Sequence, residues 1–107
     1  MSTSPSTPRP TKLNESEVAA ALSKLPAWKV EAGKLHREYK FTDFIVAFGF
    51  MTSAALVAQA MDHHPEWFNV YSTVRVDLST HDAGGITVLD VKLAHAMEDL
   101  AGRLLAR

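Results

Sequence analysis

The stretch from Asp43 to Met61 restricts the possible folds more than any other part of this chain. Phe44, Phe48, Met51, Ala55 and Ala58 line one side of a helix, and Ile45, Val46, Phe50, Val57 and Met61 extend the apolar surface around the cylinder. Thr52, Ser53 and Gln59 interrupt it. A helix apolar nearly all round has to be covered on more than one side. Its length is marginal for a bilayer span and Thr52 and Ser53 break the run, so a membrane is not the expected cover. The chain has 107 residues, which fits one domain with a modest core. The second face of this helix therefore reads as a subunit interface.

The flanking elements follow from caps and periodicity. A first helix starts after Asn14, with Glu17 completing a capping box and Leu13 and Val18 in hydrophobic-staple positions, and it ends by Pro26. A hairpin follows, with Trp28 to Val30 as one arm, Ala32-Gly33 as the turn and Leu35 to Phe41 as the other arm. Beyond the long helix, Trp67 to Tyr71 reads as a strand. Val74, Val76, Leu78 and Thr80 alternate with Arg75, Asp77, Ser79 and His81 in a second strand, with Ser72-Thr73 as the turn between the two. Gly84-Gly85 makes a loop, and Thr87 caps a last helix with Asp90 at its third position. The order predicts an α+β fold: a four-stranded, mainly antiparallel sheet with three helices packed on one face. Residues 1–12, rich in Ser, Thr and Pro, read as a disordered tail ahead of a domain spanning 13–107.

Composition excludes several classes of function. The formal net charge of -1 gives no field to hold a polyanion, so nucleic acid is not an expected partner. With no cysteine there is no disulfide, zinc–thiolate site or thiol nucleophile. This composition suits a reducing, cytoplasmic setting.

The chemistry concentrates in Asp62-His63-His64-Pro65-Glu66-Trp67 and in Ser79-Thr80-His81. Histidine exchanges protons near neutral pH. If the two strands pair through their short turn, Trp67 and His81 lie at the end away from it, beside the exit of the long helix, and the three histidines converge. Two readings of the cluster stand at this point: a proton-transfer site, or a zinc site using Asp62 as a further ligand. Adjacent histidines lack the i, i+4 spacing that places two ligands on one helix face, and no HExxH pattern is present, so a metal is not expected. Trp28 and Trp67 suit core packing as well as ligand stacking, and Asp90 could serve only as a helix cap.

The run Asp62 to Tyr71, followed by Leu78-Ser79-Thr80-His81 and Asp90, closely resembles pterin-4a-carbinolamine dehydratase. Phe41 to Phe44, Ala47 to Thr52 and Trp28 support the resemblance, which covers roughly residues 13–106. It implies removal of water from 4a-hydroxytetrahydrobiopterin to give quinonoid dihydrobiopterin, without a cofactor. That reaction recycles the pterin spent by an aromatic amino-acid hydroxylase, and the resemblance also implies a homodimer or homotetramer. The resemblance assigns acid/base work to His63 and His81 and substrate orientation mainly to His64. It places Asp62, Ser79, Thr80 and Asp82 along the pterin, makes Trp67 a wall for its flat ring, and leaves Asp90 to orient a histidine or cap a helix. Gln59 stands where the family usually has an acidic or other ionisable residue, which questions the electrostatic tuning of His63. Animal proteins of this kind also stabilise dimers of a transcription factor, so an interaction protein is an alternative expectation. A dehydratase for another pterin is a third.

Overall fold

A computed structural model of the chain describes residues 10–105. Helix α1 (Glu15–Leu22) opens with the expected reciprocal cap: Asn14 Oδ1 accepts from Glu17 N–H at 2.8 Å, and Glu17 Oε1 accepts from Asn14 N–H at 2.9 Å. The helix ends before Leu25, which is buried from the following turn. Strands β1 (Lys29–Glu31) and β2 (Lys34–Lys40) form the hairpin around Ala32-Gly33, both in the left-handed region. Helix α2 (Phe44–Met61) follows, then β3 (Glu66–Val70), β4 (Thr73–Leu78), a 3-10 turn (His81–Ala83) and α3 (Val88–Leu105).

The four strands form one sheet in the order β1-β2-β4-β3, and every neighbouring pair is antiparallel. Alternation along the strands separates its two faces. Leu35, Tyr39, Val74, Val76 and Leu78 are buried on the inner face, where they share one core with Ala47, Phe50, Ala54 and Ala58 of α2 and Leu93, Ala94, Met97 and Ala101 of α3. Val18 and Leu22 of α1 pack against the same cluster. The Phe50 ring lies 4.8 Å from Tyr39 and 5.1 Å from Phe41, centroid to centroid.

Three details depart from the sequence reading. The buried stripe of α2 is Ala47, Phe50, Ala54 and Ala58; Phe44 and Phe48, expected on the main apolar side, are exposed together with Ile45 and Leu56. Small residues let the helix approach the sheet closely, so the large ones face outward. The β3–β4 turn is Tyr71-Ser72, because Val70 pairs with Thr73 and Tyr71 takes φ 51°. The Asn69 amide donates to Tyr71 O at 3.2 Å and to Thr73 O at 2.8 Å, which closes the turn without glycine. Finally, β4 stops at Leu78, and His81 begins the 3-10 turn instead of ending the strand.

Of the expected tail, residues 1–9 lie outside the described residues. Pro10–Lys12 run alongside the loop before α3. Leu13 N–H donates to Ile86 O at 2.8 Å, and the Lys12 side chain lies so close over Gly85 that a Cβ there would meet Lys12 Cε at 2.9 Å. By length and composition α2 could cross a bilayer. In this fold it packs against α3 and β4 instead.

Candidate active site

The C-terminus of α2 fixes the backbone of the first two histidines. Asp62 takes the left-handed conformation (φ 54°, ψ 42°), which a short polar side chain tolerates better than most. His63 N–H then reaches back to Ala58 O at 3.0 Å and Asp62 N–H to Gln59 O at 3.1 Å, in the manner of a Schellman end. Pro65 holds His64 out of the helical region, so the chain leaves extended and enters β3.

The third histidine is placed by the loop between β4 and α3. Thr80 N–H donates to Gly85 O at 2.8 Å, while Thr80 O accepts from the N–H groups of Ala83 and Gly84. Gly84, at φ 76°, supplies the left-handed residue that closes the 3-10 turn. Together the two loops border a cavity of about 400 Å³ lined by Asp62, His63, His64, Ser79, Thr80, His81 and Asp82, with Pro10 and Leu89 at its sides. That volume lies within the ~300–1,000 Å³ usual for small-molecule sites. The spacing argument that brought the three histidines together is thus met in the fold.

The three histidines differ in surroundings. His63 is buried at 8% exposure, and its Nε2 lies 2.5 Å from Oδ1 of Asp90, which is completely buried. The other oxygen, Oδ2, accepts from Thr87 N–H at 2.8 Å and from the Thr80 hydroxyl at 2.9 Å. Asp90 therefore does both jobs that the sequence left open: it caps α3 and it holds His63. His64 is exposed, and its Nε2 lies 2.9 Å from Gln59 Oε1. Gln59 therefore acts on His64, contrary to the expectation that this position tunes His63: five residues and the left-handed turn at Asp62 carry His64 back over the last turn of α2. His81 is exposed at the start of its 3-10 turn.

Two other assignments change with the geometry. Thr80 borders the cavity, but its side chain is buried, with Oγ1 2.6 Å from Thr87 Oγ1 and 2.9 Å from Asp90, and its backbone N–H is held by Gly85. It supports the site from behind instead of presenting polar atoms to a ligand edge. Trp67 does not line the cavity. Its register opposite Val76 places it on the inner side of β3, half-buried against the core, and it also borders a groove with Glu66, Phe68 and Arg75. Thr87, read from the sequence only as a helix cap, proves to be fully buried within the same hydrogen-bond network. Its signal was the capping pattern itself, which brings the Asp90 carboxylate back over Thr87. Among the described residues no group of three or more His, Cys, Asp or Glu is arranged to hold a metal ion.

The arrangement is chemically a carboxylate–imidazole pair beside two more imidazoles at the mouth of a small cavity, suited to moving protons. The family model described as pterin 4 alpha carbinolamine dehydratase matches residues 11–100. The chain belongs to this family. Within it, a provisionally named pterin-4-alpha-carbinolamine dehydratase of Solibacter usitatus is 65% identical over 91 residues, covering 85% of this chain and 96% of that relative. One from Rhizobium etli, also provisionally named, is 53% identical over 96 residues, covering 88% of this chain and 95% of the relative. A crystal structure from Brucella melitensis, described as a transcriptional coactivator/pterin dehydratase, superposes with a TM-score of 0.83 at 49% identity, over 86% of this chain and 100% of that one. Family membership makes the chain an enzyme of the dehydratase type, a lyase.

Proposed function

We propose that this dehydratase removes water from a 4a-hydroxytetrahydropterin by histidine acid/base catalysis. The observation that carries the reading is the His63–Asp90 pair, a buried imidazole held by a buried carboxylate at the wall of a cavity that two further histidines share. The reaction breaks the C4a–O bond and forms an N5=C4a double bond. One group gives a proton to the departing hydroxyl, and another takes the N5 proton. His63 suits the base, because the imidazolium it becomes is stabilised by Asp90. His81, exposed at the opposite loop, suits the acid. His64, tied to Gln59, suits orientation of the pterin, with Asp62, Ser79 and Asp82 around its polar edge. The substrate is a pterin oxygenated at C4a, so the partner reaction is a pterin-dependent hydroxylation such as that of an aromatic amino acid, and dehydration returns the pterin to its recycling route.

The test follows 4a-carbinolamine breakdown optically in the presence of wild type, His63→Ala and His81→Ala. Each substitution is expected to lower kcat by about 10²–10⁴-fold, the usual contribution of one acid or base. A wild-type protein that adds nothing to spontaneous decay overturns the reading.

A second reading concerns assembly. Phe44, Ile45, Phe48 and Leu56 leave one side of α2 apolar and exposed. Such a face favours self-association, and the coactivator part of the Brucella protein's description favours an interaction role for the same surface.

A further inference from the structure

We propose that the buried hydroxyl pair Thr80–Thr87 is a positioning device that keeps Asp90 a pure acceptor and thereby holds the proton of the His63–Asp90 contact on Nε2, leaving Nδ1 to exchange protons with substrate. The inference rests on the dehydratase reading above and assigns a task to two residues that touch no substrate.

The argument is an accounting of donors. Thr87 Oγ1 accepts from Leu89 N–H at 3.2 Å and lies 2.6 Å from Thr80 Oγ1, which lies 2.9 Å from Asp90 Oδ2. Thr87 is completely buried, so its own hydroxyl proton needs a partner inside the protein. Only Thr80 Oγ1 is placed to accept it among the hydrogen bonds of this network. Thr80 then has one proton left, and it goes to Asp90 Oδ2. The reverse polarity would have a protonated Asp90 donate to Thr80 and Thr80 donate to Thr87, which would strand the Thr87 proton. Thr87 N–H also points at Oδ2, at 2.8 Å, and the first turn of α3 favours an anion there. All donors therefore converge on an ionised carboxylate.

With Asp90 ionised, Oδ1 can only accept, so His63 Nε2 carries the proton of their 2.5 Å contact. In the neutral ring the lone pair is then at Nδ1. The polarity of the whole chain, from Thr87 through Thr80 and Asp90 to His63, is thus set by the hydroxyl whose only other task is to cap α3. The other titratable groups bordering the same cavity are Asp62, His64, His81 and Asp82.

The test pairs two readouts. Imidazole nitrogen NMR of the substrate-free wild type is expected to show neutral His63 protonated at Nε2; an Nδ1–H form overturns the proposal and needs no variant to fold. Thr80→Val removes one donor from Asp90 at nearly constant volume. More negative charge then faces the His63 imidazolium, so the limb of the kcat/KM profile that reports His63 is expected to move to higher pH by about half a unit. The thermal midpoint is expected to fall, because the buried Thr87 hydroxyl loses its acceptor. Thr80→Ser and Thr87→Ser keep both hydroxyls and should restore the wild-type profile. An unshifted limb in Thr80→Val overturns the positioning role. If the wild type shows no dehydratase activity, the functional reading fails, while the tautomer measurement still decides the polarity of the network.

Discussion

Among single residues, the surroundings of each histidine decide its work, and Gln59 is the plainest case. Its amide oxygen faces His64 Nε2 at 2.9 Å on the exposed side of the α2 terminus. The amide oxygen orients that ring; a carboxylate there would add an ion pair. Exposed pairs of this kind are worth about 0.2–1 kcal/mol, so in Gln59→Glu the His64 titration midpoint, read by NMR, is expected to rise by about half a unit. Because His64 orients substrate in the proposed mechanism, the effect on catalysis should appear mainly in KM and stay below about threefold, as half a unit implies. A change of tenfold or more in kcat would instead make His64 a proton-transfer group. The histidines themselves were legible in the sequence, because short spacing and a short hairpin suffice to bring them together. The support behind them was less so. Asp90 could be read as orienting a histidine or capping a helix, but not matched to His63, since twenty-seven residues separate them and the packing of α3 beside the end of α2 closes that distance.

Elements were legible where local chemistry is sharp and illegible where it is uniform. The α1 capping box formed as read, because both of its hydrogen bonds are made within four residues. The β3–β4 turn slipped by one residue, because a left-handed Tyr71 held by the Asn69 amide carries no turn signature. Helix α2 is the clearest case. Its apolar surface runs all round, so periodicity could not choose the core side, which Ala47, Ala54 and Ala58 took with Phe50 while Phe44, Ile45, Phe48 and Leu56 turned outward. The two faces should respond differently to substitution. Phe50→Ala empties a fully buried site among Tyr39 and Phe41 and is expected to cost about 3–5 kcal/mol in urea unfolding. Ile45→Glu with Leu56→Glu, at positions 78% and 70% exposed, should leave the fold of one subunit intact and lower the mass seen by light scattering. An unchanged mass would separate the outward face of α2 from self-association.

Across the molecule, α3 ties the sheet to the loops around the histidine cavity through two carboxylates. Asp90 holds the end of α2 and the β4–α3 loop, and Glu98 holds the opposite part of the sheet. Glu98 Oε2 accepts from Tyr39 OH at 2.5 Å, from Trp28 Nε1 at 2.9 Å and from Arg37 Nε at 3.0 Å. Period-two alternation puts Arg37 and Trp28 on the inner side of the hairpin, where Glu98 of α3 meets both. Burial alone would push the Glu98 carboxyl up, but the hydrogen bonds from Tyr39, Trp28 and Arg37, with the Arg37 charge, outweigh it and hold the group below the usual carboxylate range. Burial first, and then the bond to Glu98, push the Tyr39 hydroxyl far up, so it remains a donor at any ordinary pH. A carboxyl depressed by folding contributes stability that is fully present above its unfolded value, ~4.3, and is lost as pH falls through the lower folded value. The wild type should therefore lose urea resistance steeply below about pH 4. Glu98→Gln keeps an acceptor for the three donors but removes the charge. It is expected to be less stable by about 1–2 kcal/mol at pH 7, the difference between a charged and a neutral hydrogen-bond acceptor, and to lose less on acidification. Urea midpoints for both proteins between pH 3 and 7 should converge at the acid end, because a protonated Glu98 and a glutamine offer the same donors a neutral partner. Parallel curves across the whole range would assign the acid sensitivity to other carboxylates and leave Glu98 as a packing contact between α3 and the hairpin.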